Sequence, residues 1–348
     1  MDQSNNKKKI IILISIFVIL IIIMFLLSFS QNKKIGEKPD DQKTEEITNI
    51  AQIIDETIYY PTITSDSNIL FFAGKEQSIK KYSLKENKVI KQYPLEIPYI
   101  LEVLWSDDQN LVLITTQNQE NGQVKLYSYN LALEKIAELN DNMINPYWEK
   151  DKIIYQFYQG ETNTLNQADW DGKNWEKISD LTSCDSFIYY NKQQKEVFCE
   201  IDKEDMVVDF AKISLETKKI NFIYQGVFLS ETFYPNSDYI LIQYLKDNKN
   251  NYELINKVNG NITKILDSEN INNSQKFHLN SEKMFYALNS EPTKNDLFYI
   301  FDIKTKSTET INFLSKDLID PQNILIDSND STIYFISDQL LYKLKPTI

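Results

Sequence analysis

The chain contains no arginine, and all 37 of its basic residues are lysine. Because arginine is the side chain that grips phosphate or carboxylate groups through two parallel hydrogen bonds, recognition of that bidentate kind is excluded. The lysines are outnumbered by 50 aspartates and glutamates, which gives a net charge of −13. A nucleic-acid backbone needs neutralising cations for most of its affinity. The composition therefore predicts no nucleic-acid partner.

Histidine and cysteine are nearly missing as well, with one His and two Cys among 348 residues. A metal site of the His/Cys type cannot be assembled from so few ligands. A Ser-His-Asp centre would have to use His278, which lies between Phe277 and Leu279 on a predicted strand without a serine motif nearby. We interpret His278 as a packed or edge residue of a sheet. The sequence predicts no catalytic residue, no metal ligand and no cofactor.

No acidic or serine motif selects a reaction either. The Gly-x-Ser-x-Gly turn of serine hydrolases is absent. Asp169-Trp170-Asp171-Gly172-Lys173-Asn174 has its glycine in fourth place, whereas an EF-type calcium loop needs it in sixth. This segment therefore predicts a hairpin turn. A pair of catalytic carboxylates stays open as an alternative, although nothing in the sequence selects two of the many acids.

Glycine and proline are also scarce, with 7 and 9 residues, which excludes collagen-like and low-complexity chains. Aromatic residues, in contrast, make up 12% of the chain and favour strands. A short apolar run recurs every 42 to 49 residues, and the seven runs begin at Ile69, Leu111, Ile153, Val197, Ile240, Met284 and Ile333. A repeat of this length is typical of propellers built from four-stranded units. The sequence thus predicts an all-β fold, a seven-bladed β-propeller.

The last repeat is one strand short, because only Leu340–Leu344 follows the run at Ile333–Ile336. A spare strand is predicted at the other end of the domain, within Ile47–Ile54. If that strand completes the last sheet, no sheet edge is left free to pair with another chain. We therefore expect a propeller over residues 47–348 that is closed by its N-terminal strand.

Three segments resemble the TolB-like propeller repeat family, within the broader group of WD-repeat-like propellers. Trp105-Ser106-Asp107-Asp108 and Tyr147-Trp148-Glu149-Lys150 look like the aromatic-Ser-Pro-Asp turn of that family, and Ala168–Asn174 looks like its Asp-Gly hairpin. The complete Pro-Asp-Gly turn and the Gly-His element of WD repeats are absent. The resemblance implies a rigid ring that serves as an interaction platform or as a gate for substrates.

The longest apolar run, Ile10–Leu27, is interrupted only by Ser15. It is long enough to cross the ~30 Å hydrocarbon core of a bilayer, and longer than the ~7–15 residues of a signal-peptide core, which is the competing reading. We expect a short cytoplasmic tail at 1–9, a single transmembrane anchor from Ile10 to Phe29, and a flexible stalk at 30–46. Lysines flank both ends of the span, but the short tail ending in Lys7–Lys9 favours a plasma-membrane protein with its C-terminal domain outside the cytoplasm.

Cys184 and Cys199 are fifteen residues apart around a predicted hairpin that turns near 191–194. Antiparallel pairing about that turn brings the two residues almost opposite each other, as a disulfide requires. An exported domain would also meet an oxidising compartment. We predict a disulfide between them, with two buried free thiols as the alternative for a cytosolic domain.

Together these features predict a non-catalytic binding or scaffold module, anchored in a membrane and extracytoplasmic, for a protein, peptide or glycan held at the central funnel or one rim. The alternative is an envelope glycan hydrolase or lyase with carboxylates in the funnel. Two acids from different blades that converge in a deep pocket would favour the enzyme, whereas an aromatic rim would favour binding.

Overall fold

The computed structural model describes residues 50–344 apart from 75–76, 96, 98, 119–120, 204–206, 230–237, 247–248, 269–276, 280–281, 289–296, 312–318, 328 and 330–331. Contacts group Ile47–Ile348 into one compact unit. The predicted tail, anchor and stalk at 1–9, 10–29 and 30–46 lie outside the described residues. Within the part of the chain that is described, no helix has the length and hydrophobicity needed to cross a bilayer.

The regular elements of the described residues are all β-strands. In chain order they are β1 (Ile50–Ile54), β2 (Ile58–Ile63), β3 (Asn68–Ala73), β4 (Ser78–Ser83), β5 (Lys88–Pro94), β6 (Ile100–Trp105), β7 (Leu111–Gln117), β8 (Val124–Asn130), β9 (Lys135–Glu138), β10 (Met143–Glu149), β11 (Lys152–Gln159), β12 (Thr162–Asp169), β13 (Glu176–Asp180), β14 (Ser186–Asn191), β15 (Glu196–Asp202), β16 (Val208–Ser214), β17 (Ile220–Leu229), β18 (Tyr239–Lys246), β19 (Lys249–Asn256), β20 (Ile262–Ser268), β21 (Phe277–Leu279), β22 (Lys283–Leu288), β23 (Leu297–Asp302), β24 (Ser307–Ile311), β25 (Asn323–Ile326), β26 (Ile333–Ser337) and β27 (Leu340–Leu344).

These strands form antiparallel sheets, most of them four-stranded. Consecutive strands make up the sheets β2–β5, β6–β9, β10–β13 and β21–β24, and a further sheet has the order β1-β27-β26-β25. Each of the seven apolar runs that define the repeat falls on the second strand of a group, as Ile69 does in β3 and Leu111 in β7. The all-β fold with a four-stranded repeat is therefore confirmed.

The second strands carry a continuous apolar run because both of their faces are covered. In β3, Ile69 and Phe71 pack in a cluster with residues of β25–β27, whereas Leu70 and Phe72 pack in a cluster with residues of β6–β8. Successive side chains of a strand point to opposite faces. One strand thus contributes to two hydrophobic layers, and a continuous apolar run is the sequence that suits it.

The strand predicted within Ile47–Ile54 is present and pairs where it was expected. In the β1–β27 ladder, Ile50 lies opposite Leu344 and Gln52 opposite Tyr342. The next strand is tied to the same sheet, because the Ile58 amide donates a 2.9 Å hydrogen bond to the Gln339 carbonyl. The N-terminal strand therefore completes the last sheet and joins it to the first.

One region departs from the regular repeat. The ten-residue strand β17 pairs with β16 as far as Val227 and then, through Phe228 and Leu229, with β18. The change of pairing from β16 to β18 comes just after Gly226, whose φ of +64° is a conformation that favours glycine. Strands β14 to β20 consequently form one seven-stranded sheet where the period predicts two separate units.

Candidate functional site

The first strands of four successive groups are each interrupted by a β-bulge. The pairing register shifts between Tyr59 and Thr62 in β2, Ile100 and Glu102 in β6, Ile144 and Tyr147 in β10, and Phe187 and Tyr189 in β14. Bulges re-aim side chains and are frequent beside binding sites. Since β2 contacts both β25 and β6, its bulge presents side chains to the space between neighbouring first strands.

A cavity of about 490 Å³ opens at that place, between β2, β6, β25 and the strand that carries His278. We call it the tyrosine cavity, and its lining includes Tyr59, Tyr60, Leu101, Trp105, His278 and Asn323. A smaller cavity of about 280 Å³ shares Tyr59 and Tyr60 and adds Tyr99. Tyr99 is 58% exposed and Tyr59 38% exposed. The two cavities therefore present a solvent-accessible aromatic surface.

Hydrogen bonds fix the central aromatic residue of this surface. Tyr60 has a positive φ of 48°, which is unusual for a non-glycine residue and belongs to the bulge. Its hydroxyl donates a 2.8 Å bond to the Leu101 carbonyl, and its own carbonyl accepts a 2.9 Å bond from the Trp105 indole. Its ring meets Phe72 edge to face at 6.2 Å. Two contacts thus hold the Tyr60 side chain, and a third holds its backbone.

The lining of the tyrosine cavity is almost uncharged. Burial raises the pKa of the Tyr60 hydroxyl, and the nearby Tyr99 and Glu102 add to that shift. Burial also lowers the pKa of His278 to about 4, although its hydrogen bond to the Ile324 carbonyl opposes the shift. Both groups are therefore neutral near pH 7. Among the described lining residues of the two cavities, Glu102 is the one carboxylate.

An acceptor is available in the same cavity. The side-chain oxygen Oδ1 of Asn323 is buried and has no hydrogen-bond partner. A buried acceptor without a donor costs free energy that a ligand donor restores. Neutral aromatic rings and an amide oxygen are suited to recognition, whereas acid–base chemistry needs groups that titrate near the working pH.

Charged groups gather elsewhere, near the C-terminal ends of the first strands, around Lys257. Asp107 follows β6, Glu149 ends β10, and Asp238 precedes β18. We call these three acids, with Lys257 and Tyr189, the lysine cluster. Lys257 is only 4% exposed, and its Nζ lies 4.2 Å from the centre of the Tyr189 ring.

The electrostatics of the lysine cluster are dominated by burial. Loss of solvation lowers the pKa of Lys257 to about 7, while Glu149, Asp107 and Asp238 oppose that change. The pKa of Asp107 is raised, chiefly by burial and further by Glu149. The lysine cluster therefore combines a lysine whose pKa is near 7 with three acids that belong to different sheets. Sequence reasoning missed it, because a lysine in a hairpin after β19 is expected to be solvated.

The two cysteines lie close together, although they are not directly opposite each other in the ladder. Their Cα atoms are 5.5 Å apart, and the structure joins their sulphur atoms at 2.06 Å. In the ladder, however, Cys199 lies opposite Phe187, and Cys184 precedes β14. The hairpin closes with Asn191 opposite Glu196, and in that register Cys199 faces a residue three positions after Cys184. Formation of the bond in the native compartment stays a prediction.

The Asp169–Asn174 segment forms the hairpin between β12 and β13, in which the Gly172 amide donates a 2.9 Å bond to the Asp169 carbonyl. The Asp171 carboxylate pairs with Lys173 at 2.8 Å, and Asp169 pairs with Lys152. Within the described residues, no group of three or more His, Cys, Asp or Glu side chains is arranged to hold a metal ion. These acids are thus engaged by neighbouring lysines.

Comparison with solved structures identifies the fold. An uncharacterized protein of Listeria monocytogenes superposes with a TM-score of 0.56 at 14% identity, over 82% of this chain and 90% of that one. The β-propeller domain of Cps50 (Swd1) from Myceliophteria thermophila gives 0.55 at 11% identity, over 86% and 100%. An oligogalacturonate lyase of Vibrio parahaemolyticus gives 0.54 at 12% identity, over 86% and 94%.

No family model matches the chain, and no curated protein matches it in sequence. At identities of 11–14% these structural similarities establish the fold and nothing about activity. A propeller-type fold is therefore confirmed, and TolB-like membership stays a resemblance.

Proposed function

We propose that this protein is a membrane-anchored, extracytoplasmic β-propeller of seven blades that binds a protein, peptide or glycan segment at the tyrosine cavity without chemical turnover. The seven blades are the five four-stranded sheets and the two units of the β14–β20 sheet. The observation that carries the proposal is the lining of the tyrosine cavity. Exposed aromatic rings give large contact area at low conformational cost, which is why they dominate binding surfaces.

The domain arrangement of this proposal comes from the sequence. Residues 1–9 would be the cytoplasmic tail, 10–29 the transmembrane anchor, 30–46 the stalk and 47–348 the propeller. The apolar run at Ile10–Leu27 supports the anchor, and the lysines before it support the orientation. Protease added to intact spheroplasts is expected to release the propeller. Full protection of the propeller until the membrane is lysed would show that the topology is the opposite one, and it would leave the binding proposal unaffected.

The binding proposal is tested by crosslinking from the cavity. A photoreactive phenylalanine at Tyr99, in the smaller cavity that shares Tyr59 and Tyr60 with the tyrosine cavity, is expected to capture a specific ligand in intact cells. The matched control places the same group at Tyr158, which is 53% exposed but lines neither of the two cavities. Capture from Tyr99 should be lost when Tyr59→Ala is added. Equal capture from both positions, or none from Tyr99, would refute the binding role of this cavity.

A second candidate function rests on the lysine cluster. A lysine whose pKa lies near 7 is matched to the task of a general base, and acids from different blades accompany it, so a glycan hydrolase or lyase is the alternative. One of the structural neighbours is an oligogalacturonate lyase, at a similarity that extends to the fold alone. Against this role, Lys257 is buried beside the Tyr189 ring. Cleavage of polysaccharides by the wild type but not by Lys257→Met would establish the enzyme.

A further inference from the structure

A third cavity lies on the β10–β13 sheet, remote in sequence from the residues of the tyrosine cavity. Its volume is about 350 Å³, and its lining includes Met143, Tyr155, Thr164, Asn166, Trp175 and Lys177. We call it the Asn166 pocket. Thr164, Asn166 and Ala168 share one face of β12 because side chains alternate along a strand. Ala168 packs in a cluster with Leu111 of the β6–β9 sheet, so the pocket opens on the face turned toward that sheet.

Asn166 brings an unsatisfied polar atom to this pocket. Its side chain is 3% exposed, and its amide nitrogen donates a 3.0 Å hydrogen bond to the Thr164 hydroxyl. Its oxygen Oδ1 is buried and has no partner. Buried polar groups are hydrogen-bonded in the great majority of cases, so an orphaned amide oxygen beside a cavity points to a missing donor.

Trp175 supplies an apolar platform at the same pocket. The indole is 65% exposed, a large exposure for the most hydrophobic of the aromatic side chains. It follows directly on the β12–β13 hairpin, which is fixed by a 2.6 Å hydrogen bond from the Asn174 amide to the Asp169 carboxylate. The platform is thus carried by an ordered turn.

The charges on the lining of the Asn166 pocket restrict the chemical class of its ligand. Lys177 is the one charged side chain among the described lining residues, and its ammonium group pairs with Asp180 at 2.6 Å. The remaining polar groups are amides and hydroxyls. A neutral ligand with hydroxyl groups can form hydrogen bonds with these amides and hydroxyls. Because a hydroxyl both donates and accepts, it can pair with either the oxygen or the nitrogen of the Asn166 amide.

We propose that the Asn166 pocket binds a neutral sugar ring, with the apolar face of the ring against Trp175 and a hydroxyl group on the Asn166 amide. The volume lies within the range of small-molecule sites, roughly 300–1,000 Å³. The proposal is independent of the ligand of the tyrosine cavity, since the two cavities share no lining residue.

The test uses the full-length protein in a detergent without a sugar headgroup. Glucose, galactose, N-acetylglucosamine and their β-linked disaccharides are titrated by saturation-transfer NMR, with charged glucuronate and glucosamine as comparison probes. We expect saturable binding of at least one neutral sugar. Trp175→Ala should weaken it at least about tenfold, the factor that corresponds to ~1.4 kcal/mol. Asn166→Leu, which fills the site with an apolar group, should abolish it.

Two controls separate the pocket from the rest of the surface. Phe222→Ala removes another exposed aromatic ring, 47% exposed, and should leave sugar binding unchanged. All sugar titrations are also carried out in the Tyr59→Ala background, in which the tyrosine cavity is impaired, so that binding at the Asn166 pocket is measured by itself. The proposal is overturned if no neutral sugar binds up to its solubility limit, which would leave water as the occupant. It is equally overturned if binding survives both pocket variants, or if the charged probes bind as tightly as the neutral ones.

Discussion

The indole nitrogen of Trp105 donates a 2.9 Å hydrogen bond to the backbone carbonyl of Tyr60, across two neighbouring sheets. Trp148 repeats the contact one sheet further on, with a 3.0 Å bond to the Leu104 carbonyl. Each bond joins the first strand of one sheet to the first strand of the preceding one. In the first pair, the acceptor also belongs to the bulge that forms the tyrosine cavity. Both hydrogen bonds therefore join neighbouring sheets, and the Trp105 bond also positions the bulge at the tyrosine cavity.

These two tryptophans provide a matched pair of variants. Trp105→Phe and Trp148→Phe each remove the donor while keeping most of the ring, so each should lower the free energy of unfolding by about 1–3 kcal/mol. Only Trp105→Phe should weaken ligand capture from Tyr99, because it frees the Tyr60 carbonyl at the cavity. Urea denaturation and crosslinking yield measure the two effects. Equal loss of capture in both variants would indicate that the effect is one of general stability.

Removal of the N-terminal strand should expose the edge of β27. We expect deletion of residues 47–54 to give soluble aggregates, because unpaired edge strands recruit other chains. Deletion of 31–44, within the proposed stalk, serves as the control and should leave a monomer in the same detergent. Light scattering after size-exclusion chromatography distinguishes the two. A stable monomer without residues 47–54 would contradict the role assigned to the β1–β27 pairing.

The proposed disulfide should contribute to stability without determining the fold. A loop of about fifteen residues corresponds to ~3 kcal/mol in the chain-entropy account, as an upper figure. The double variant Cys184→Ala/Cys199→Ala should therefore melt at a lower temperature, with hydrogen exchange increased mainly in β14 and β15. Native protein purified without reductant should resist thiol alkylation after unfolding. Two alkylated cysteines in that experiment would reject the bond.

Acid should destabilise the protein partly through His278. Burial holds its pKa at about 4 in the folded state, below the ordinary value of 6.5. Between these two values the unfolded chain binds a proton that the folded chain excludes, so stability falls as the pH is lowered from 6.5 toward 4. His278→Gln keeps a donor for the Ile324 carbonyl and should flatten the profile between pH 6.5 and 5. Identical slopes for both proteins would show that other groups cause the change.

Much of the fold could be read from the sequence because it depends on local periodicity. The apolar runs at Ile69, Leu111 and their counterparts marked second strands correctly, since those strands are buried on both faces. The pairing of Ile50–Ile54 with the last strand followed from a count of strands in the last repeat. Such features require no knowledge of which side chains meet.

The candidate sites could not be found in that way, because they depend on departures from regular pairing. The bulge at Tyr60 and the one at Asn145 are each followed by a proline, Pro61 and Pro146. Proline inside a strand signals a bulge or an edge, so this was a signal that could have been used. The burial of Lys257, in contrast, arises from contacts between distant hairpins. Nothing in the local sequence marks it.

The strand β17 has a consequence for how the ring can come apart. The other neighbouring sheets share no strand and meet through side-chain packing and isolated hydrogen bonds, such as those of Trp105 and Trp148, so separating them would break those contacts and expose apolar area. Between β16 and β18, in contrast, the continuous strand β17 pairs with both neighbours. Separation there must also break the backbone hydrogen bonds of Phe228 and Leu229 with β18. Under mechanical load or heat, the residues from β14 to β20 should therefore open as a single piece. Separation would then begin at a boundary between sheets that no continuous strand crosses.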